Sequence, residues 1–359
     1  MKILHVTKKY PNALGGDAIV VQNLENQQTK NNHEVFILTT NCDEIINKPN
    51  VIKFGLKDTP ANLDNITMKR ILSLIDLYKK FPKIIKDIKP DVVHCHSIDM
   101  GYVISKVCKK YNVPLIETFH TGLISKQKNY SSRSILEHFF IKHSKFKKII
   151  SVNNKDKGYL PNLVYIPNGI DTKLFKNDNK KRKGLLFVGR IEKLKGLSNL
   201  MQSLNQIKQI EYSHLTIIGE GPEKENLSAY AKKPNLGVRF LGKKSQKELV
   251  NFYNQHKILI LPSTEIEGFG LVLLEAMACK TPVITTNLVG MAQEIKENNC
   301  GLIVPPNNQK TLAEAITKII KNQKLAKQMG ENGRKLVEEK YTWNKVAKQI
   351  EKVYFEAIK

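Results

Sequence analysis

Cysteine is scarce in this 359-residue chain. The five cysteines (Cys42, Cys95, Cys108, Cys279 and Cys300) are odd in number and form no Cys-x-x-Cys pair. A disulfide scaffold and a structural zinc site are therefore disfavoured, and a reducing cytoplasm fits. No apolar run approaches the roughly 18 residues that span a membrane. The opening Met1-Lys-Ile-Leu-His-Val-Thr7 reads as a strand rather than a signal peptide. Aromatics make up 7% and are not interleaved with bases as a nucleobase-stacking platform would be. Several catalytic signatures are missing too. There is no Gly-x-x-x-x-Gly-Lys-Ser/Thr loop, no Asp-x-Asp pair, no Gly-x-Ser-x-Gly elbow and no His-Glu-x-x-His. These absences disfavour P-loop NTPases, zinc peptidases and serine hydrolases. The nearest approach to a dinucleotide fingerprint, Gly219-Glu-Gly221-Pro-Glu-Lys224, lacks its third glycine.

Acidic residues are also in deficit, 33 against 58 lysines and arginines, for a net charge of +25. Such an excess invites a polyanion as partner. It is evenly spread, however: residues 1–180 carry +13 and residues 181–359 carry +12. No basic arm exists, and a lysine-rich solvated surface accounts for most of the charge.

What is present is alternation. Short β-rich runs at Ile3–Val6, Val35–Thr40, Asp91–His96, Pro114–Thr118 and Ile149–Val152 alternate with longer helical patterns. A second set follows at Leu185–Val188, Leu215–Ile218, Val238–Leu241, Ile258–Leu261, Pro282–Thr285 and Leu302–Val304. This order predicts an α/β fold with parallel sheets covered by helices on both faces. Ser245-Gln-Lys-Glu248 predicts a capped helix start, and Pro222 a first helical turn. Polar residues 171–183 lack apolar periodicity and read as a linker. The expected organisation is an N-terminal Rossmann-like domain at 1–170, the linker, and a second Rossmann-like domain at 184–342. A C-terminal helix at 343–359 is expected to pack back onto the N-terminal domain.

Glycine-bearing turns follow several strands. Gly15-Gly16 precedes a helix, where backbone N–H groups can approach a phosphate. Gly189-Arg190-Ile-Glu-Lys-Leu-Lys195-Gly196 offers a guanidinium that grips phosphate bidentately and a second point charge. The sharpest feature is Pro262-Ser-Thr-Glu-Ile-Glu267-Gly268-Phe269-Gly270, followed by a helix carrying Glu275. A carboxylate in such a loop can accept from sugar hydroxyls, and one on the helix from ribose hydroxyls. His94 and His96 fall on one side of a strand, as metal ligands would. With no carboxylate or cysteine partner at ligand spacing, strand-end packing or acceptor contact is the preferred reading.

Glu267 and Glu275 resemble the Glu-x7-Glu motif of retaining glycosyltransferases with the GT-B fold. The remaining turns fall in the order of glycosyltransferase family 4 (glycosyl transferases group 1): Gly15-Gly16, the Asp91–His96 strand, Thr118-Phe-His120, Pro167-Asn168-Gly169, Gly189-Arg190 with Lys195-Gly196, and Gly219-Glu-Gly221-Pro222. The resemblance covers nearly the whole chain. It departs at Val289-Gly290-Met291, where the family often has a second glycine and a proline. It implies two Rossmann-like domains facing each other across a cleft. It also implies a UDP- or GDP-sugar donor, a glycan, lipid-linked or small-molecule acceptor, and retention of anomeric configuration. His120, Glu267, Arg190 and Lys195 would be catalytic. Gly15, Gly16, Asn168, Gly268, Phe269, Gly270 and Glu275 would bind substrate. No cofactor, metal or nucleic acid is expected.

Rival readings are a sugar-nucleotide epimerase of the same architecture and a basic nucleic-acid-binding protein. Two basic segments, Lys69–Lys89 and Lys126–Lys148, carry apolar residues such as Ile71, Leu72, Ile75, Ile135 and Phe139. They fit either a core-facing stripe with a solvated basic face or contact with an anionic membrane. The core-facing reading is the preferred one. The expected location is cytoplasmic, with peripheral membrane attachment as an option.

Overall fold

The computed structural model describes residues 1–10, 16–41, 48–55, 68–120, 132–207, 214–231 and 237–359. The chain divides into two units, Met1–Gly169 with Trp343–Lys359, and Ile170–Thr342.

Among the described residues the first unit is built on seven strands: β1 (Lys2–Lys9), β2 (Glu34–Asn41), β3 (Val51–Lys53), β4 (Val92–Cys95), β5 (Leu115–Phe119), β6 (Lys148–Ser151) and β7 (Leu163–Tyr165). They are all parallel, in the order β3-β2-β1-β4-β5-β6-β7. The central strands carry buried apolar residues on both faces because helices cover both, with His5, His94, Glu117 and Thr118 as buried polar exceptions. Ile3, Leu4, Val6, Val92, Val93, Leu115 and Ile116 are all buried. The helices are α1 (Gly16–Lys30), α2 (Met68–Ile88), α3 (Ile98–Lys110), α4 (Ser132–His143) and a C-terminal helix (Trp343–Ile358). The C-terminal helix lies along α1, with Asn31 donating to Glu351 at 2.8 Å. A Cβ on Gly169 would collide with the ring of Trp343, so glycine lets the chain pass the helix start.

Sequence patterning finds the central strands of this sheet and misses β3 and β7. Both are three-residue strands at the sheet edges and are only partly buried, so no apolar run marks them.

The second unit holds β8 (Leu185–Val188), β9 (Leu215–Ile218), β10 (Val238–Phe240), β11 (Ile258–Leu261), β12 (Val283–Thr286) and β13 (Gly301–Val304). Their order is β10-β9-β8-β11-β12-β13, again all parallel. Its helices are α5 (Leu197–Leu204), α6 (Lys224–Ala231), α7 (Gln246–Gln255), α8 (Leu271–Ala278), α9 (Ala292–Glu297), α10 (Gln309–Lys321) and α11 (Gln323–Lys340). Leu185, Phe187, Ile217, Ile258 and Ile260 pack against Leu200 and Met201 of α5 and Leu312 and Ile316 of α10. Burying each of these large side chains contributes about 1.5–3 kcal/mol.

Ser245 and Glu248 form the expected reciprocal cap on α7. Pro222 stands in a turn two residues before α6 rather than in its first turn. Residues 171–183 have no regular element, but they are not a free connection. Phe175 is buried, Asn254 receives the Asp178 backbone N–H, and Arg182 donates to the Cys279 carbonyl.

In both sheets the chain reverses its winding at one place, between β1 and β4 and between β8 and β11. Doubly wound sheets bind ligands at the carboxyl ends of the strands beside such a switch point. Both functional clusters described next lie there.

Candidate active site

In the second unit, the turn after β8 and the loop after β11 are stitched together. Thr264 N–H donates to the Leu194 carbonyl at 2.8 Å. Gly196 has φ +68°, and a Cβ there would collide with the Pro262 carbonyl. Only glycine meets both demands, which explains the Lys195-Gly196 pair. The stitching brings Lys195 Nζ to 2.6 Å from Glu267 Oε1, with both side chains about 15% exposed. Ser263 Oγ donates to the other carboxylate oxygen at 2.6 Å. Glu267 is fixed by its backbone as well, bonding to Leu288 and Gly290. Gly290 packs so closely on the Gly268 carbonyl that a Cβ would not fit. The family's second glycine is replaced here by Met291, whose side chain is buried.

Helix α8 begins at Leu271, directly after Gly270 at φ +91°. Its first amide N–H groups have no intrahelical acceptor and carry the positive end of the helix dipole. Glu275 lies one turn into α8 and is 5% exposed. Tyr253 Oη donates to it at 2.5 Å. Burial pushes its carboxyl up to about 7, while the bonds from Tyr253 and Gln246 pull the other way.

The structure thus joins Lys195 to Glu267 directly. It does not join Arg190 to them: that side chain is 64% exposed and ion-paired to Glu192 at 3.0 Å. Phe269 is buried against the ring of Tyr341, so it offers a ligand only its backbone. Ser263 and Tyr253 were missed by sequence reading. Ser263 could have been suspected from its place at a strand end, whereas Tyr253 gives no local signal.

In the first unit, His120 follows β5 and is half-buried, Asn168 is buried near the unit's boundary, and Gly16 starts α1. Gly15 lies outside the described residues. His120 Nε2 is 3.1 Å from His96 Nδ1. His5, His94 and His96 bring one ring nitrogen each within 4.8 Å of one another, a grouping able to hold a metal ion. Each of these six ring nitrogens already has a hydrogen-bond partner.

Two family models match the chain. The glycosyltransferase family 4 model covers residues 14–174, and the glycosyl transferases group 1 model covers residues 170–336. An uncharacterized glycosyltransferase of Methanocaldococcus jannaschii is 31% identical over 99% of this chain and 98% of its own length. The chain is a family 4, group 1 glycosyltransferase. Among solved structures, sucrose-phosphate synthase from Thermosynechococcus elongatus superposes with a TM-score of 0.83 at 22% identity, covering 99% of both chains. Anabaena HepE in complex with UDP-glucose gives 0.80 at 16% identity, covering 99% of this chain and 100% of that one. These likenesses establish the GT-B fold for this glycosyltransferase. Membership favours glycosyl transfer over the nucleic-acid-binding and epimerase readings. Among the described residues no helix is long and apolar enough to cross a membrane.

Proposed function

We propose that this glycosyltransferase moves a sugar, with retention of configuration, from a nucleoside-diphosphate sugar to a glycan, lipid-linked or small-molecule acceptor. The observation that carries the reading is the Lys195–Glu267 pair, set at the switch point and next to the start of α8. Breaking a sugar–diphosphate bond builds negative charge on the leaving group. Lys195 supplies a cation for it, Arg190 a second, and the α8 N-terminus adds dipoles that need no reorganisation. Glu267, released toward the sugar, accepts from its hydroxyls, and Glu275 accepts from the ribose. These charges are the protein's own, so the reaction is proposed to proceed without a metal or cofactor. His120 is assigned to the transferred sugar and Asn168 to substrate binding. No protein nucleophile is assigned. The bound UDP-glucose of HepE, a neighbour in fold, supports a nucleotide-sugar donor. Residues 184–342 are proposed to bind that donor and residues 1–170 the acceptor.

Peripheral contact with an anionic membrane is part of the proposal. On α2, Leu77, Phe81 and Ile85 face the core. Met68, Ile71, Leu72, Ile75 and Tyr78 form a second stripe, 41–69% exposed. Lys69, Lys79, Lys80 and Lys83 of the same helix are exposed as well. Exposed apolar residues beside lysines match a helix lying on anionic lipid. On α4, Ile135 and Phe139 are exposed too. The core-facing reading therefore covers only part of these segments. A cytoplasmic location, at the inner membrane face, follows as a proposal.

Thermal-shift screening against UDP-, GDP- and ADP-sugars tests the donor assignment. At 100 times its Kd a donor stabilises by about 2.7 kcal/mol. For a domain of this size that is roughly 5–10 °C in Tm. No shift and no hydrolysis with any donor would remove the assignment.

A further inference from the structure

Both carboxylate oxygens of Glu267 are engaged, by groups of very different mobility. Lys195 Nζ reaches Oε1 at 2.6 Å from the end of a flexible four-carbon stem. Ser263 Oγ reaches Oε2 at 2.6 Å from a side chain with a single carbon. The directions of these bonds are fixed by chemistry. An ammonium has no lone pair and the carboxylate paired to it has no proton, so both partners donate.

Ser263 stands on a rigid frame. It lies two residues beyond β11 and is fully buried. Its carbonyl accepts from Thr286 Oγ1 of β12 at 2.8 Å. Thr285 Oγ1, on the same strand, donates to the Leu261 carbonyl at 2.8 Å. Both threonines are buried, so the end of β11 is stapled to β12 out of reach of water. Glu267 is the partly open member of the pair. Its side chain is 16% exposed, whereas Ser263 is not exposed at all. The carboxylate thus sits on a buried hydroxyl with its other side toward solvent. An ionised carboxylate has about four acceptor positions, and the two bonds leave each oxygen able to accept another.

The leaving diphosphate and Glu267 compete for one cation, because Lys195 is assigned to both. Among the described residues Lys195 and Ser263 are the side chains bonded to Glu267, so Ser263 is the partner that remains once Lys195 turns to the diphosphate. We propose that Ser263 is a positioning residue: its buried hydroxyl holds the Glu267 carboxylate against the transferred sugar while Lys195 is drawn to the diphosphate. This rests on the assignment of Glu267 to the sugar. Ser263 itself touches no substrate. A sugar presents its hydroxyls in fixed directions, so a carboxylate free to turn away meets them poorly. The loss falls on the sugar half of the donor and spares the nucleotide half.

The test uses full-length Ser263→Ala, Glu267→Ala and the double variant. Transfer is followed with the donor that stabilises the wild type, under single-turnover conditions for the weak variants. Calorimetry with UDP, GDP and ADP measures diphosphate binding alone. Ser263→Ala should lower kcat/KM on the order of tenfold, as for a misplaced group. The diphosphate that binds the wild type should keep its Kd within about twofold. In the Glu267→Ala background the serine substitution should change kcat/KM by less than about twofold, because the group it holds is gone. A merely structural serine gives a different pattern: its loss disturbs the loop leading into α8 and weakens diphosphate binding in parallel. That parallel loss overturns the proposal. So does an equal loss in both backgrounds, or an unchanged kcat/KM in Ser263→Ala while Glu267→Ala is impaired. Should Glu267→Ala retain no measurable transfer, the split between kcat/KM and Kd in Ser263→Ala decides. Should Ser263→Ala fail to fold, Ser263→Cys gives the same reading, with nearly the same shape but only a weak S–H donor. Wild-type turnover in Glu267→Ala is a separate failure: it removes Glu267 from the sugar and takes this proposal with it.

Discussion

Glu275→Gln should make the protein more stable at alkaline pH and less active. The carboxyl is 5% exposed, and burial pushes it from 4.5 to about 7. A carboxyl raised in the folded state binds more protons folded than unfolded between those two values. Stability therefore falls as pH rises through that window, the reverse of the usual salt-bridged carboxylate. Each pKa unit is worth 1.36 kcal/mol, so the ionised form costs the fold about 3 kcal/mol above pH 7 and nothing below about pH 4.5. Glutamine keeps an oxygen for Tyr253 Oη to donate to and removes the charge. In thermal unfolding at pH 5 and pH 8, the variant should match the wild type at the lower pH. At the higher pH it should exceed it by roughly 6–12 °C. Donor affinity should drop on the order of tenfold, because an amide oxygen is a weaker acceptor for ribose hydroxyls than a carboxylate. Equal Tm differences at both pH values would refute the buried-carboxyl reasoning. Unchanged donor affinity would refute the ribose assignment.

Other perturbations separate the parts of the site. Lys195→Met removes the cation 2.6 Å from Glu267 and should lower kcat by about 10²–10³, the scale of losing one preorganised donor; wild-type turnover would remove the clamp assignment. Arg190→Ala, at a 64% exposed position, should leave Tm unchanged and lower turnover strongly, as steady-state kinetics would show. Gly196→Ala places a Cβ at φ +68° against the Pro262 carbonyl, so it should cost about 1–3 kcal/mol in denaturant titration and weaken donor binding. Replacing Ile71, Leu72 and Ile75 with serine should abolish co-sedimentation with anionic liposomes at low salt, and absence of binding by the wild type would end the membrane proposal.

The sheets were legible because their central strands are buried on both faces and read as continuous apolar runs. Short edge strands such as Val51–Lys53 carry no such run and were invisible. The loop of Glu267 and the helix of Glu275 could be read from glycine placement and spacing. The ion pair between Lys195 and Glu267 could not: it spans 72 residues and depends on how two turns pack. The burial of Phe269 and the solvent exposure of Arg190 likewise follow from tertiary packing. The histidine chain is the clearest case. His94 and His96 were visibly on one face, but Gln28, His5, His120 and Tyr354 join them only when β1, β4, β5, α1 and the C-terminal helix assemble.

A 1H NMR time course settles the central claim most directly. The protein is incubated in EDTA with the donor that stabilises it and a panel of glycan, lipid-linked and small-molecule acceptors. The anomeric proton of the product is followed together with the released nucleoside diphosphate. The expected result is equimolar diphosphate and a product with the donor's own anomeric configuration, formed by the wild type and almost absent with Lys195→Met. An inverted product, or turnover that appears only when a divalent cation is restored, would contradict it.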